Sequence, residues 1–194
     1  MLEQLKHKFN TDKGNGHNYL KVYDILFKKF KEKNINFLEI GVLFGESLKL
    51  FSSYFKNGKI YGIENFEQKD GHSFHNFKPV IADEVIKNIE NYDNIALLNF
   101  DCENLSKIKE NITGIKFNII IDDASHIIEQ QINNLKNYSE YLTDDGIYIC
   151  EDITSNYNGE ILLQEAQKIF TNKKISVLEL DINNRADDRL LIVQ

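Results

Sequence analysis

The sequence predicts a doubly wound α/β fold around a seven-stranded sheet, mostly parallel and finished by an antiparallel C-terminal hairpin. Short apolar runs alternate with longer amphipathic stretches from Asn36 to the C-terminus, the pattern of a parallel sheet wrapped by helices. The last two apolar runs stand only seven residues apart, with Asn183, Asn184, Asp187 and Asp188 between them. That is too short for a helical crossover, so the two runs should pair antiparallel. With 194 residues, 42% hydrophobic content, one proline and no internal repeat, the chain is expected to bury one core as a single domain over 1–194.

Taken in order, the pattern predicts a helix near Tyr19 to Lys31 within an N-terminal segment 1–35, followed by an α/β core over 36–194. Apolar runs bounded by turn residues place strands at Asn36–Ile40, Lys59–Glu64, Ile95–Phe100, Phe117–Asp122, Gly146–Cys150, Ile175–Asp181 and Arg189–Val193. Helical spacing places the connecting helices at Ser47–Phe55, Ala82–Tyr92, Glu103–Asn111, Glu129–Leu142 and Gly159–Phe170. The stretch Phe66 to Pro79 carries neither period and reads as a surface loop, either a lid or simply irregular chain.

A formal net charge of -7 with no long Lys/Arg block argues against a nucleic-acid partner. Cys102 and Cys150 are far apart, without zinc or redox spacing, and are expected to be reduced. The first residues lack a signal-peptide core and no run approaches a membrane span, so a cytoplasmic location without membrane attachment is expected.

Two groups of residues carry chemistry. Glu39-Ile40-Gly41-Val42-Leu43-Phe44-Gly45-Glu46-Ser47 joins the first strand to a helix, and its glycines allow a sharp turn close to a ligand. Leu43 stands where a dinucleotide fold would place a middle glycine, which disfavours a pyrophosphate. Glu39 could face a cationic sulfonium amino acid, Glu64 could take both hydroxyls of a ribose, and Asp101 ends the third strand on the same edge. The glycines alone could equally serve a tight turn in another α/β protein. In the second group, Ile121-Asp122-Asp123-Ala124-Ser125-His126 and Cys150-Glu151-Asp152 end two strands expected to be parallel neighbours. Asp123, Glu151 and Asp152 would offer oxygen ligands suited to Mg²⁺ or another hard divalent cation. Against this, Asp122 or Asp123 could cap a helix and a lone His126 could be structural. His72 and His75 look like a metal pair only superficially.

These residues resemble the macrocin and mycinamicin-type sugar O-methyltransferases, a family of class I, Rossmann-like S-adenosylmethionine-dependent methyltransferases. The similarity runs through Thr11-Asp12-Lys13-Gly14, His17, Tyr19 and Tyr23, then Leu38 to Gly41 with Gly45 and Ser47, then Ile60 to Glu64. It is closest at Ile121 to His126 and Tyr148 to Asp152. The resemblance implies an N-terminal element covering the cofactor, with Thr11, Lys13, His17, Tyr19, Glu39, Gly41, Gly45, Ser47, Glu64, Asp101, Cys102 and Asp123 on the cofactor side. It implies Asp123, Glu151 and Asp152 as metal ligands and His126 as general base. The cofactors would be S-adenosylmethionine and Mg²⁺ or a similar cation. The acceptor would be a small hydroxylated molecule such as a sugar or nucleotide sugar, and a homo-oligomer is compatible. Phe66 to Pro79 departs from the family pattern, and the large N-terminal part of some macrolide enzymes has no counterpart. A metal-dependent hydroxylase would want two histidines and a carboxylate at the strand edge, where only His126 stands. A non-catalytic binding module would not need the intact acid and histidine set.

Overall fold

The computed structural model describes residues 1–66, 81–180 and 185–194. The expected loop beyond Phe66, with His72 and His75, and the expected strand end at Asp181 lie outside the described residues.

The strands are β1 (Asn36–Ile40), β2 (Lys59–Glu64), β3 (Ile95–Asn99), β4 (Phe117–Asp122), β5 (Leu142–Cys150), β6 (Ile175–Glu179) and β7 (Arg189–Val193). The helices are α1 (Asp12–Asn15), α2 (Tyr19–Leu26), α3 (Glu46–Tyr54), α4 (Ala82–Ile89), α5 (Leu105–Ile112), α6 (Ile128–Ser139) and α7 (Asn156–Ile169). The sheet order is β3-β2-β1-β4-β5-β7-β6, as a doubly wound mixed sheet requires. β1 to β5 pair in parallel, whereas β7 runs antiparallel to both β5 and β6.

Alternate residues of the buried strands face opposite helical layers, which is why they read as continuous apolar runs. Phe37, Ile119, Ile121, Ile147 and Ile149 pack with α2 and α3 through Leu20, Tyr23, Phe27, Leu48 and Phe51. Leu38, Ile40, Ile120, Tyr148 and Leu191 pack with α5, α6 and α7 through Ile108, Ile112, Leu135, Tyr138 and Leu162. Residues 1–35 therefore build part of one helical layer, and Leu2, Tyr19, Tyr23, Phe27 and Phe30 are fully buried. Tyr19, Tyr23 and Phe27 recur every fourth residue on one face of α2 and its continuation. Phe27 reaches the apolar core against Phe37 and Phe51, while the two tyrosine hydroxyls end among carboxylates.

Several boundaries differ from the sequence pattern. α2 stops at Leu26 and gives way to a 3₁₀ turn at Lys28–Phe30 instead of running to Lys31. α6 ends at Ser139, and β5 begins at Leu142 because Leu142 pairs with Phe117 ahead of a register shift. Its polar start, Thr143-Asp144-Asp145, imitates a turn in the sequence.

Candidate active site

Strand order reverses between β1 and β4, and the crevice at the carboxyl ends of such a switch point is where open α/β sheets bind ligands. Gly41 leaves β1 there at φ +87°, and a Cβ on it would lie 2.1 Å from the Asp123 carbonyl oxygen. Only glycine allows that approach of the two backbones. Gly45 caps α3 at φ +79°, and Leu43 between them sits at φ +50° with its side chain partly exposed. The half-buried Glu64 braces this turn: its Oε2 accepts from the amides of Val42 (2.8 Å) and Leu43 (2.9 Å), and its Oε1 from Asn65. Asp101 lies exposed two residues beyond the end of β3, accepting from the Glu103 amide. Cys102 is half-buried beside it, and burial pushes its thiol pKa up. Glu64, Asp101 and the turn thus share one edge, with Glu64 accepting from three backbone amides and keeping acceptor capacity on Oε1.

Beneath the turn Glu39 is fully buried, accepting from Ser47 Oγ at 2.7 Å with its other oxygen 3.3 Å from Lys13 Nζ. Burial pushes its carboxyl up to about 7 against the pull of Lys13. Lys13, 1% exposed, is held by α1, whose first turn is capped by Thr11 Oγ1. Its ammonium donates to Asp123 Oδ2 and to Glu151 Oε2 (2.7 Å). Burial alone would lower the Lys13 pKa, but the charges of Asp123, Glu151 and Glu39 raise it well above the ordinary range. The same ammonium and His126 hold Asp123 below the usual carboxylate range despite its burial.

His126 and Asp152 both adopt left-handed backbone, at φ +59° and +54°. Such strain in non-glycine residues concentrates at functional sites. His126 Nε2 lies 3.1 Å from Asp123 Oδ1 and 3.5 Å from Asp152 Oδ2. Burial opposes its protonation, but Asp123 and Asp152 prevail and raise its pKa to about 9. Asp152 Oδ1 accepts from Tyr19 Oη at 2.5 Å, and Glu151 Oε1 from Tyr23 Oη at 2.5 Å. Burial and Asp123 raise the Asp152 pKa. His17 is buried, stacked on Tyr19, with Nδ1 2.6 Å from Asp188 Oδ1.

Ligand atoms of Asp123, His126 and Asp152 lie within 4.8 Å of one another, so two carboxylates that could hold a divalent cation stand beside an imidazole. Of the three expected ligands, Asp123 and Asp152 converge, whereas Glu151 turns to Lys13 and Tyr23. Neither Asp122 nor Asp123 caps α6, whose N-cap is Ile127. Asp122 is buried instead, accepting from Asn134 (2.9 Å) and Tyr148 (3.3 Å). Asp187 and Asp188 were not singled out as site residues in the sequence. Because β7 is antiparallel to β5, the residues just before β7 arrive at the edge where β4 and β5 end, and that topology was the available signal.

No protein-family model matches the chain. It is similar to the 8-demethyl-8-alpha-L-rhamnosyl tetracenomycin-C 2'-O-methyltransferase of Streptomyces olivaceus, at 26% identity over 163 residues, 80% of this chain and 38% of that enzyme. The mycinamicin VI 2''-O-methyltransferase of Micromonospora griseorubida is 27% identical over 165 residues, 80% of this chain and 37% of that enzyme. The chain thus spans less than two-fifths of the length of these relatives. Among solved structures, the MycE methyltransferase of the mycinamycin pathway in complex with Mg, SAH and mycinamycin VI superposes with a TM-score of 0.69 at 20% identity. That match covers 100% of this chain and 54% of MycE. The chain therefore has the Rossmann-like fold of S-adenosylmethionine-dependent methyltransferases, and its curated relatives are sugar O-methyltransferases.

Proposed function

We propose that this chain is an S-adenosylmethionine-dependent O-methyltransferase that acts, with a divalent cation, on a sugar hydroxyl, the sugar being nucleotide-linked or part of a natural product. The observation that carries this reading is the convergence of Asp123, Asp152 and His126 beside the Gly41–Gly45 turn at the strand-order reversal. In support, the tetracenomycin and mycinamicin relatives are named for methylating sugar oxygens, and MycE was solved with Mg and SAH. An acidic chain of net charge -7 favours a small acceptor over a polyanion.

The turn, Glu64 and Asp101 would hold S-adenosylmethionine, which supplies an electrophilic methyl group when bound. Asp123 and Asp152, with Glu151 once released from Lys13, would hold the cation, whose Lewis acidity makes a sugar hydroxyl more acidic. His126 Nε2 would take the hydroxyl proton. Against burial, which lowers it, Asp123 and Asp152 raise its pKa to about 9, so positive charge bound beside those carboxylates would lower it toward neutral pH, where a base works best. Asp152 is buried and Asp123 and His126 are half-buried, which limits water around a reaction in which charge disappears.

Methyl-labelled S-adenosylmethionine with Mg²⁺, offered to a panel of nucleotide sugars, glycosides, tRNA and protein, tests the reading. A labelled methyl ether on a sugar is expected. Transfer to tRNA or protein alone would overturn the acceptor assignment.

A further inference from the structure

On the far side of Asp152 from His126 stands a second group of donors: His17, Asp152 and Asp187, whose ligand atoms also lie within 4.8 Å of one another. We propose that these three residues form a second divalent-cation site, bridged to the first through the carboxylate of Asp152. The proposal rests on the preceding reading only through that shared residue.

Acidic groups close together are common at protein surfaces, but this group is built differently. His17 is 1% exposed, and its Nε2 has no hydrogen-bond partner while pointing at Asp152 Oδ1 from 3.6 Å. A buried ring nitrogen without a partner is costly unless something binds it. Its other nitrogen, Nδ1, is 2.6 Å from the buried Asp188, whose Oδ2 is likewise without a partner. A carboxylate accepts only, so Nδ1 donates to Asp188, and Nε2 is the ring nitrogen left to bind a cation beside Asp152. A carboxylate fixing the outer nitrogen of a metal-binding histidine is a recurrent arrangement, and it sets both tautomer and ring orientation. Stacking on Tyr19 at 4.5 Å restrains the same ring.

The oxygen donors are held comparably. Asp187 is gripped by Arg185 through Nε (3.0 Å) and a terminal nitrogen (3.1 Å), which fixes the orientation of its carboxylate. A carboxylate offers about four lone-pair sites, so the grip leaves some free. Tyr19 Oη donates to Asp152 Oδ1 (2.5 Å) and to the Asp187 carbonyl oxygen (3.2 Å), linking the two acids. Asp152 presents Oδ1 to this group and Oδ2 to His126. An imidazole with two carboxylates suits Mn²⁺, Co²⁺ or Zn²⁺ better than Mg²⁺.

Equilibrium dialysis of the purified chain against Co²⁺, with bound metal counted by mass spectrometry, tests the site. Two ions per chain are expected, falling to one in Asp187→Asn and His17→Asn, to one in Asp123→Asn and to none in Asp152→Asn. Asp188→Asn should weaken one ion by about 10- to 100-fold. Should buried His17→Asn fail to fold, the half-exposed Asp187→Asn decides. A wild-type chain holding one ion that depends on Asp123 and is indifferent to Asp187 would overturn the second site and leave the first standing. One ion that depends on Asp187 and is indifferent to Asp123 would uphold the second site and sink the first. Two ions retained in Asp187→Asn, or none in the wild type, would also overturn the proposal.

Discussion

Lys13→Met removes the ammonium that neutralises Asp123 and Glu151 and lies 3.3 Å from Glu39, while keeping most of the side-chain volume. Breaking a buried ion pair from one side costs about 3–5 kcal/mol, because the carboxylates left behind have lost their counter-ion. Lys13 is 1% exposed and Glu39 0%, so solvent screening offers little relief. Protonation offers more. Without the ammonium the three carboxyl pKa values rise, and a carboxyl raised in the folded state contributes stability below its unfolded value that is lost as pH rises through the folded one. The defect should therefore be several kcal/mol at pH 8 and much smaller at pH 5. Urea denaturation of both proteins at the two pH values measures it. A divalent cation that binds the vacated carboxylates should stabilise Lys13→Met by about 2.7 kcal/mol at a hundredfold excess over its Kd for that variant, and the wild type by less. A Lys13→Met chain within about 1 kcal/mol of the wild type at pH 8 would refute the view that Lys13 is the cluster's internal counter-ion.

Three further outcomes follow from the same geometry. His126→Ala should lower kcat by about 10²- to 10⁴-fold while S-adenosylhomocysteine affinity stays near the wild-type value, and unaltered turnover would remove His126 from the reaction. Gly41→Ala should unfold the chain or lower its melting temperature sharply, since its Cβ would sit 2.1 Å from the Asp123 carbonyl; calorimetry showing a wild-type melting temperature would contradict the close approach. Burial raises Asp122 to about 7, so its folded form binds a proton that the unfolded chain releases near 4, and stability falls as pH rises between those values. That gap corresponds to roughly 4 kcal/mol at most, and Asp122→Asn should flatten this part of the profile; an unchanged slope would show that Asp122 does not set it.

Much of this was legible in the sequence because apolar runs report burial directly. Each of the seven apolar runs coincides with a strand, although β5 starts at Leu142 rather than Gly146, and the short connection before Arg189 announces the antiparallel pair. What the runs do not encode is order across the sheet, so the insertion of β7 between β5 and β6 escaped, and with it the arrival of Asp187 and Asp188 at the site. Asp123, His126 and Asp152 could be found together because each follows a strand end, a local feature. The partners of Lys13 could not, since 110 and 138 residues separate it from Asp123 and Glu151, and nothing near Lys13 specifies a buried ammonium. Glu64 reads as a strand-end acid, but its hydrogen bonds to Val42 and Leu43 depend on how the turn folds back.

Isothermal titration of the chain with S-adenosylhomocysteine tests the central claim most directly, because the Gly41–Gly45 turn, Glu64 and Asp101 are proposed to hold that nucleoside whatever the acceptor. Heat fitting one site with a Kd between about 1 µM and 1 mM is expected, equivalent to roughly 4 to 8 kcal/mol, with weaker binding to a folded Glu64→Ala chain. No heat with S-adenosylhomocysteine or S-adenosylmethionine, together with tight binding of NAD, would contradict the account.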